Sequence, residues 1–151
     1  MPRWGYSITG LDPMTTVKAS LREVDLSPKW TREVCNAIKG MRVVKAREYL
    51  ERVVEGEEAV PYRRYKKLRA HRRGVRGPGG YPVKAARHLL KLLDSLSANA
   101  EFKGLDPERL VITHAVSHKG RALKRFTPRA FGRASPRNKV LVHIELAATQ
   151  V

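Results

Sequence analysis

Two long segments of this chain contain basic residues and no acidic ones, and this feature restricts its fold more than any other. There are eleven Lys and Arg residues between Ala59 and Leu93 and eight between Val116 and Ile144, with no Asp or Glu in either segment. The chain has a formal net charge of +17, so all of the excess lies in these segments and the other residues are slightly acidic. Uncompensated positive charge opposes a compact fold unless a polyanion neutralises it. Nucleic acid is therefore the expected partner, and an acidic membrane surface is the alternative.

The rest of the composition is that of an ordinary globular protein. Hydrophobic residues make up 42% of the 151 residues, which is enough for one domain with a modest core. The single cysteine, Cys35, falls in a helical pattern and excludes an internal disulfide or a multi-cysteine metal site. No apolar run approaches the roughly 20 residues needed to cross a bilayer, and the N-terminus has no signal-peptide core. We therefore expect an intracellular protein with no membrane partner.

Local periodicity predicts the order of the secondary structure elements. Segment 1–14 is interrupted by Gly and Pro and predicts an extended arm. Strict alternation of apolar and polar residues predicts a strand over 16–24. Helical spacing of apolar residues, with Pro near the start and Gly after the end, predicts helices over 28–39, 43–54 and 82–102.

Segment 56–81 interrupts this pattern with a dense, aperiodic basic stretch that ends in Gly-Pro-Gly-Gly. Because it cannot bury enough apolar area by itself, we expect it to be an insertion that becomes ordered on RNA. Its bases are interspersed with Tyr62, Tyr65 and His71, a composition that suits irregular RNA. A disordered tail that only raises the local charge would have the same composition. The candidate RNA-binding residues of this segment are Arg63, Arg64, Lys66, Lys67, Arg69, Arg72, Arg73 and Arg76.

Two β-branched, alternating stretches, 110–117 and 140–147, flank the second acid-free segment. If they pair, they form one hairpin over 111–144 with its midpoint near Thr127 and Pro128. Each arm would reach roughly 50 Å at about 3.3 Å per residue, farther than its own domain could cover. The outer half should therefore be stabilised by another molecule. The candidate RNA-binding residues of the hairpin are Lys119, Arg121, Lys124, Arg125, Arg129, Arg133, Arg137 and Lys139.

Several aromatic residues and glycines have more than one interpretation. Phe126 and Phe131 lie in the hairpin, and stacking on unpaired bases and packing within the hairpin are equally compatible with this position. Gly120 permits a close approach of the backbone to a neighbouring group. We expect Trp30 to pack in the folded body, whereas Trp4 in the arm is compatible with packing or with stacking.

Only one residue group has a catalytic spacing. His114 and His118 are four apart, but on a strand their separation is about 13 Å, too far to share a zinc ion. With Lys119 they could form a ribonuclease-like trio, although no other feature points to an enzyme. We expect no catalytic residues, no metal site and no cofactor. A free architectural DNA-binding protein is the other alternative, because charge alone does not distinguish DNA from RNA.

Several motifs resemble the universal large-subunit ribosomal protein family numbered twenty-two in bacteria and seventeen in the older eukaryotic naming. The resemblance covers roughly residues 15–146 apart from 56–81, and the stretch LKRFTPRAFGRA is its most specific part. The motifs are Ser27-Pro28 with Arg32, the Arg-x-x-x-Ala-x-x-x-Leu pattern from Arg42 to Leu50, the helix end from Leu96 to Glu101 with Gly104-Leu105-Asp106, and Leu123 to Ala134.

The resemblance implies an α+β fold in a single ribosomal protein domain over 1–151. Three helices would pack on a small antiparallel three-stranded sheet, with the β-hairpin protruding and the basic insertion added. Bacterial members of the family lack the insertion, whereas archaeal and eukaryotic members carry it. The resemblance therefore implies an archaeal member, located in the cytoplasm on the ribosome.

Members of this family are structural, non-enzymatic constituents of the large subunit that bind its rRNA and support assembly. The resemblance implies large-subunit rRNA, neighbouring large-subunit proteins and the nascent peptide as partners, with no cofactor and no homo-oligomer. The hairpin would thread through rRNA, and its tip would line the nascent-peptide exit tunnel. The tip residues so implied are Phe126, Thr127, Pro128, Arg129, Ala130, Phe131 and Gly132.

Overall fold

The computed structural model describes residues 5–151. Trp4, for which packing and stacking were both open, lies outside this range, as does the start of the predicted arm. Residues 5–15 form neither helix nor strand. The elements that follow are β1 (Thr16–Val24), α1 (Pro28–Ile38), α2 (Val43–Glu55), β2 (Val60–Pro61), β3 (Gly79–Gly80), α3 (Val83–Phe102), a 3-10 turn (Pro107–Arg109), β4 (Leu110–Leu123), β5 (Phe126–Pro128), β6 (Ala134–Pro136) and β7 (Lys139–Gln150).

The central sheet has the order β1-β7-β4, and both outer strands are antiparallel to β7. Because side chains alternate along a strand, Ile144 and Leu146 of β7 share one face, while His143 and Glu145 lie on the other. All four are buried. The arm covers the second face, where the backbone N–H and the hydroxyl of Ser7 both donate to Glu145 Oε2, at 2.8 and 2.7 Å. The α+β architecture expected from the sequence is confirmed.

The helices cover the first face of the sheet. Helices α1 and α3 contact the strands, and α2 packs on α3. The apolar stripe of α3 is fully buried, with Leu89, Leu92, Leu93 and Leu96 at 0% exposure. The predicted helix ends differ from the observed ones by a single residue, as is usual for helix termini. Trp30 packs against the core, as expected.

The link between α1 and α2 shields the start of the free edge of β4. Gly40 donates its N–H to the carbonyl of Ile112 at 2.8 Å, and Ile112 donates its own to the carbonyl of Met41 at 2.9 Å. Gly40 has a φ of 87°, in the left-handed region that side chains disfavour. It therefore both ends α1 and turns the chain alongside the sheet.

The hairpin continues outward from β4 and β7. Its register runs from Leu110 opposite Gln150 to Leu123 opposite Lys139, and β5 and β6 extend the pairing to Pro128 opposite Ala134. The turn is centred on Phe131.

The predicted midpoint near Thr127 and Pro128 is therefore wrong. Val111 pairs with Thr149, because β7 runs to Gln150 and the hairpin does not start at residue 144. Two irregularities in the register, between Ile112 and His114 and between Lys119 and Ala122, each add one residue to the β4 arm. Bulges of this kind shift the turn towards the C-terminus.

The two ends of the insertion are ordered by contacts within the protein itself. Ala59, Val60 and Tyr62 are buried at 3%, 0% and 4% exposure and belong to the core. Strand β2 pairs with β3, so both ends of the segment are joined next to the body. The expectation that 56–81 cannot order itself is wrong at these ends, because its first apolar residues fill the space beside α1.

Candidate nucleic-acid interface

The outer half of the hairpin is uncovered by any other part of the described chain. From residue 121 to residue 138, Thr127 and Ser135 are half-buried and every other side chain is exposed. Seven of the eight predicted hairpin bases are exposed and Lys139 is half-buried. The exposed bases are Lys119, Arg121, Lys124, Arg125, Arg129, Arg133 and Arg137.

Two bases of the hairpin stem are bonded to acids at the end of β1. Lys139 Nζ lies 2.7 Å from Asp25 Oδ2, and Arg121 Nε lies 3.7 Å from Glu23 Oε1. The hydrogen bond from Lys139 lowers the pKa of the Asp25 carboxyl, which keeps the carboxylate charged. The stem is thus positioned by the protein's own acids, and its bases are not equivalent.

The aromatic residues of the tip project outward. Phe131 is 96% exposed and Phe126 is 68% exposed, so packing within the hairpin is wrong for Phe131. Phe131 has a φ of 57°, rare for an aromatic residue, and the turn is closed by the Arg129 N–H donating to the carbonyl of Arg133 at 2.8 Å. The turn thus presents the ring at the farthest point from the body.

A buried carboxylate organises the start of the insertion. Glu33 of α1 is 1% exposed. Its Oε2 accepts the backbone N–H of Arg63 at 2.9 Å, and its Oε1 accepts those of Arg64 and Tyr65 at 3.0 and 3.2 Å. Three donors thus satisfy one carboxylate and fix three consecutive peptide groups. Nothing near Glu33 in the sequence indicates this role, because its partners lie 30 to 32 residues away.

Aromatic rings hold several arginines of the insertion. The guanidinium of Arg69 lies 4.9 Å from the Trp30 ring, which stacks on Tyr62 at 6.5 Å between centroids. Arg72 lies 5.7 Å from the ring of Tyr81. An arginine stacked on a ring keeps its N–H edge available for an anion. These contacts argue against the alternative of a featureless charged tail, and all eight predicted bases of the insertion are exposed.

Helix α3 carries basic residues that sequence analysis counted but did not assign. Lys84, Arg87 and Lys91 are exposed at helical spacing, with the half-buried His88 between them. Their i, i+3, i+7 spacing, with no acid between Lys84 and Leu93, was available in the sequence as a signal.

His114 and His118, the two histidines with catalytic spacing, contact residues of the arm and of β7. His114 Nε2 lies 3.2 Å from the hydroxyl of Ser7, and burial, followed by Lys39, lowers the pKa of its ring. His118 faces His143 across the sheet. Within residues 5–151, no three His, Cys, Asp or Glu side chains are grouped so that they could hold a metal ion. In the same residues, no helix is both long and apolar enough to cross a membrane.

Comparison with known proteins identifies the family. The family model for ribosomal protein L22p/L17e matches residues 19–149. The large ribosomal subunit protein uL22 of Aeropyrum pernix is 54% identical over the full length of both chains. Those of Thermofilum pendens and Methanopyrus kandleri are 51% and 50% identical, covering 100% and 95% of this chain and 99% and 93% of theirs. The chain therefore belongs to the L22p/L17e family of ribosomal proteins, which are structural and not enzymatic.

Proposed function

We propose that this protein binds large-subunit rRNA through its hairpin and insertion, supports assembly of the subunit, and lines the nascent-peptide tunnel with the hairpin tip. As a ribosomal protein it is a structural constituent of the cytoplasmic ribosome, and its relatives are named as large-subunit proteins. One observation carries the proposal: the outer hairpin holds a run of bases without an acid, and no other part of the described chain covers it. A polyanion that surrounds the outer hairpin would cover its exposed side chains and neutralise its positive charge.

The two basic elements suit different features of RNA. The hairpin bases stand on a regular ladder, so they can follow the phosphates of neighbouring strands. The insertion combines exposed arginines with the half-buried Tyr65, and such a surface suits irregular RNA with exposed bases. Neighbouring large-subunit proteins would contact the parts of the body that rRNA leaves open.

Within the hairpin, stem and tip have separate tasks. The stem is held by the pairing of β4 with β7, and two of its bases, Arg121 and Lys139, are paired with Glu23 and Asp25 before rRNA arrives. The tip is attached through the stem alone and meets rRNA and the nascent peptide only after the body is docked. The proposed tip residues are Phe126, Thr127, Pro128, Arg129, Ala130, Phe131 and Gly132.

The first experiment measures rRNA affinity as a function of salt concentration. Each phosphate contact contributes about −0.7 to −0.9 to the log–log slope through counterion release, so a dozen contacts give a slope near −10. A slope close to zero would contradict the proposed interface. Retention on the large subunit through a high-salt sucrose gradient separates this function from that of a free DNA-binding protein, which would wash off.

The second experiment separates tip from stem. A tip variant replaces residues 126–136 by Asn-Gly, which joins Arg125 to Arg137 through a two-residue hairpin turn. We expect nearly normal incorporation into large subunits but altered passage of stalling peptides. The stem variant changes Lys119 and Arg137 to Gln, which leaves the bases paired with Glu23 and Asp25 intact, and should lower incorporation. Loss of incorporation in the tip variant alone would reverse the proposed roles.

A further inference from the structure

We propose that the exposed face of α3 that carries Lys84, Arg87, His88 and Lys91 is an additional rRNA contact, which binds the sugar-phosphate backbone. This proposal rests on the proposed function and extends it to a surface that neither the hairpin nor the insertion includes. It names one occupant, a phosphodiester strand, and not an unpaired base or another protein.

The spacing of the four residues places them in one row. Positions i, i+3, i+4 and i+7 lie on the same side of a helix, and the row from Lys84 to Lys91 is about 10 Å long at 1.5 Å per residue. A shallow depression of about 270 Å³ is lined by these four side chains. Farther along the same face, Ser95 and Ala98 are small and exposed, so a strand can continue close to the helix.

The row has no acid between its four residues, and Asp94 follows on the same face three residues after Lys91. There is no Asp or Glu between Lys84 and Leu93, and the next acid, Asp94, is ion-paired with Arg47 of α2. Arg87 and Lys91 repel one another, since like charges at i, i+4 spacing are destabilising, and Asp25 compensates only Lys84. A polyanion laid along the row removes this repulsion.

The row is continuous with the hairpin stem. Asp25 Oδ2 accepts Lys84 Nζ at 3.1 Å and Lys139 Nζ at 2.7 Å, so one carboxylate joins the first residue of the row to the last strand of the hairpin. The Lys84 side chain remains 63% exposed and has further donors available. A single RNA strand that follows the stem can therefore pass from Lys139 to Lys84 over the Asp25 carboxylate, whose negative charge both lysines neutralise.

The composition of this face favours backbone over base recognition. Lysine acts as a point charge towards phosphate, and Arg87 can bond two phosphate oxygens at once. Of the rings that could stack on bases, Tyr81 precedes the helix and already contacts Arg72, and Phe102 ends the helix. The other conceivable occupant, an acidic segment of a neighbouring protein, becomes an outcome of the test.

The test compares two charge-matched triple variants of the full chain for binding to the large-subunit rRNA of a related archaeon. Both lose three exposed cations, so a difference between them reports position and not net charge. The variant of the row should lower the salt slope by about two to three units and weaken binding on the order of a hundredfold at roughly 0.1 M salt. The row variant is Lys84→Gln/Arg87→Gln/Lys91→Gln, and the control is Lys39→Gln/Lys45→Gln/Arg109→Gln.

A proximity measurement gives the identity of the occupant. An iron chelate attached at Ser95→Cys in assembled subunits should cleave one segment of rRNA, whereas the same chelate at Glu51→Cys on the acidic face of α2 should cleave it weakly or not at all. Cys35 does not interfere, because burial raises the pKa of its thiol to about 12.

The outcomes separate this inference from the proposed function. If the wild-type chain fails to bind rRNA with a steep salt slope, the proposed function itself fails. If the wild type binds and the row variant binds equally well, or the control loses as much as the row variant, the contact on α3 is refuted. Absence of rRNA cleavage from position 95, or cleavage of a neighbouring protein alone, refutes it as well.

Discussion

Replacing Glu33 by Gln tests whether one buried carboxylate shapes the insertion. The substitution keeps the size of the side chain and removes its charge. The amide oxygen can keep the N–H bonds of Arg64 and Tyr65, but the amide nitrogen then faces the N–H of Arg63, where two donors oppose each other. The change therefore removes one hydrogen bond and weakens two.

The magnitude follows from the strength of these bonds. A hydrogen bond to a charged acceptor contributes about 1.5–3 kcal/mol and a neutral one about 1 kcal/mol. Losing one charged bond and making two others neutral costs roughly 2.5–7 kcal/mol if the loop stays in place. The loop can instead open and let water bond its amides, so we expect local opening to become easier by about 3 kcal/mol, with a smaller effect on global unfolding.

Amide hydrogen exchange measures this change directly. An opening free energy lower by about 3 kcal/mol corresponds to exchange roughly a hundredfold faster at 63–65. Exchange in α3 should be unchanged. The matched control is Glu48→Gln at an exposed position of α2, which removes the same charge. Unchanged exchange at 63–65 in the Glu33 variant would refute the role of the carboxylate.

The direction in which Glu33→Gln changes rRNA affinity distinguishes positioning of the loop from simple electrostatics. Glu33→Gln raises the net charge by one, so electrostatics alone predicts tighter binding. Loss of a preformed loop predicts weaker binding, because ordering it then costs entropy at the moment of binding. We expect several-fold weaker binding with an unchanged salt slope, since no base has been removed. Tighter binding, equal to that of the Glu48 control, would show that the loop is not preorganised.

Three further predictions concern the body. Gly120→Ala would place a Cβ 2.8 Å from Nε2 of the buried His143 ring, so we expect a loss of about 1–3 kcal/mol in thermal melts; an unchanged melting temperature would mean that the ring has room to move. Burial alone would raise the pKa of Glu145, but the hydrogen bonds from Ser7, helped by a nearby arginine, outweigh it and hold the pKa below its usual 4.5. The lowered folded-state pKa stabilises the arm above about pH 4.5, and this stabilisation is lost as pH falls through the folded pKa. The protection factor of the Ser7 amide should therefore fall on acidification, and Glu145→Gln should remove this pH dependence. The Cys35 thiol, with a pKa of about 12, should resist maleimide in the native protein near pH 8 and react after denaturation; rapid native labelling would contradict its burial.

Local patterns determined much of this protein. Alternation placed β1 at Thr16–Val24, and helical spacing placed all three helices to within one residue. The distribution of charge identified the hairpin and the insertion. These features could be predicted because their physical causes, side-chain periodicity and the repulsion between neighbouring charges, act between residues that are close in the chain.

The tertiary structure decided everything that depends on distant partners. The hairpin turn lies at Phe131 because of where β7 ends and where β4 bulges, and neither is visible as periodicity. Asp25 accepts hydrogen bonds from a lysine of α3 and a lysine of β7, 59 and 114 residues away. These two bonds bring the basic face of α3 next to the hairpin stem. In the sequence, Glu33 is indistinguishable from an exposed helical acid, because the amides that bond it belong to residues 63–65. Burial and pairing across such separations arise only when the core assembles, so one sequence indicates the presence of the charges but not which of them are already satisfied by the protein.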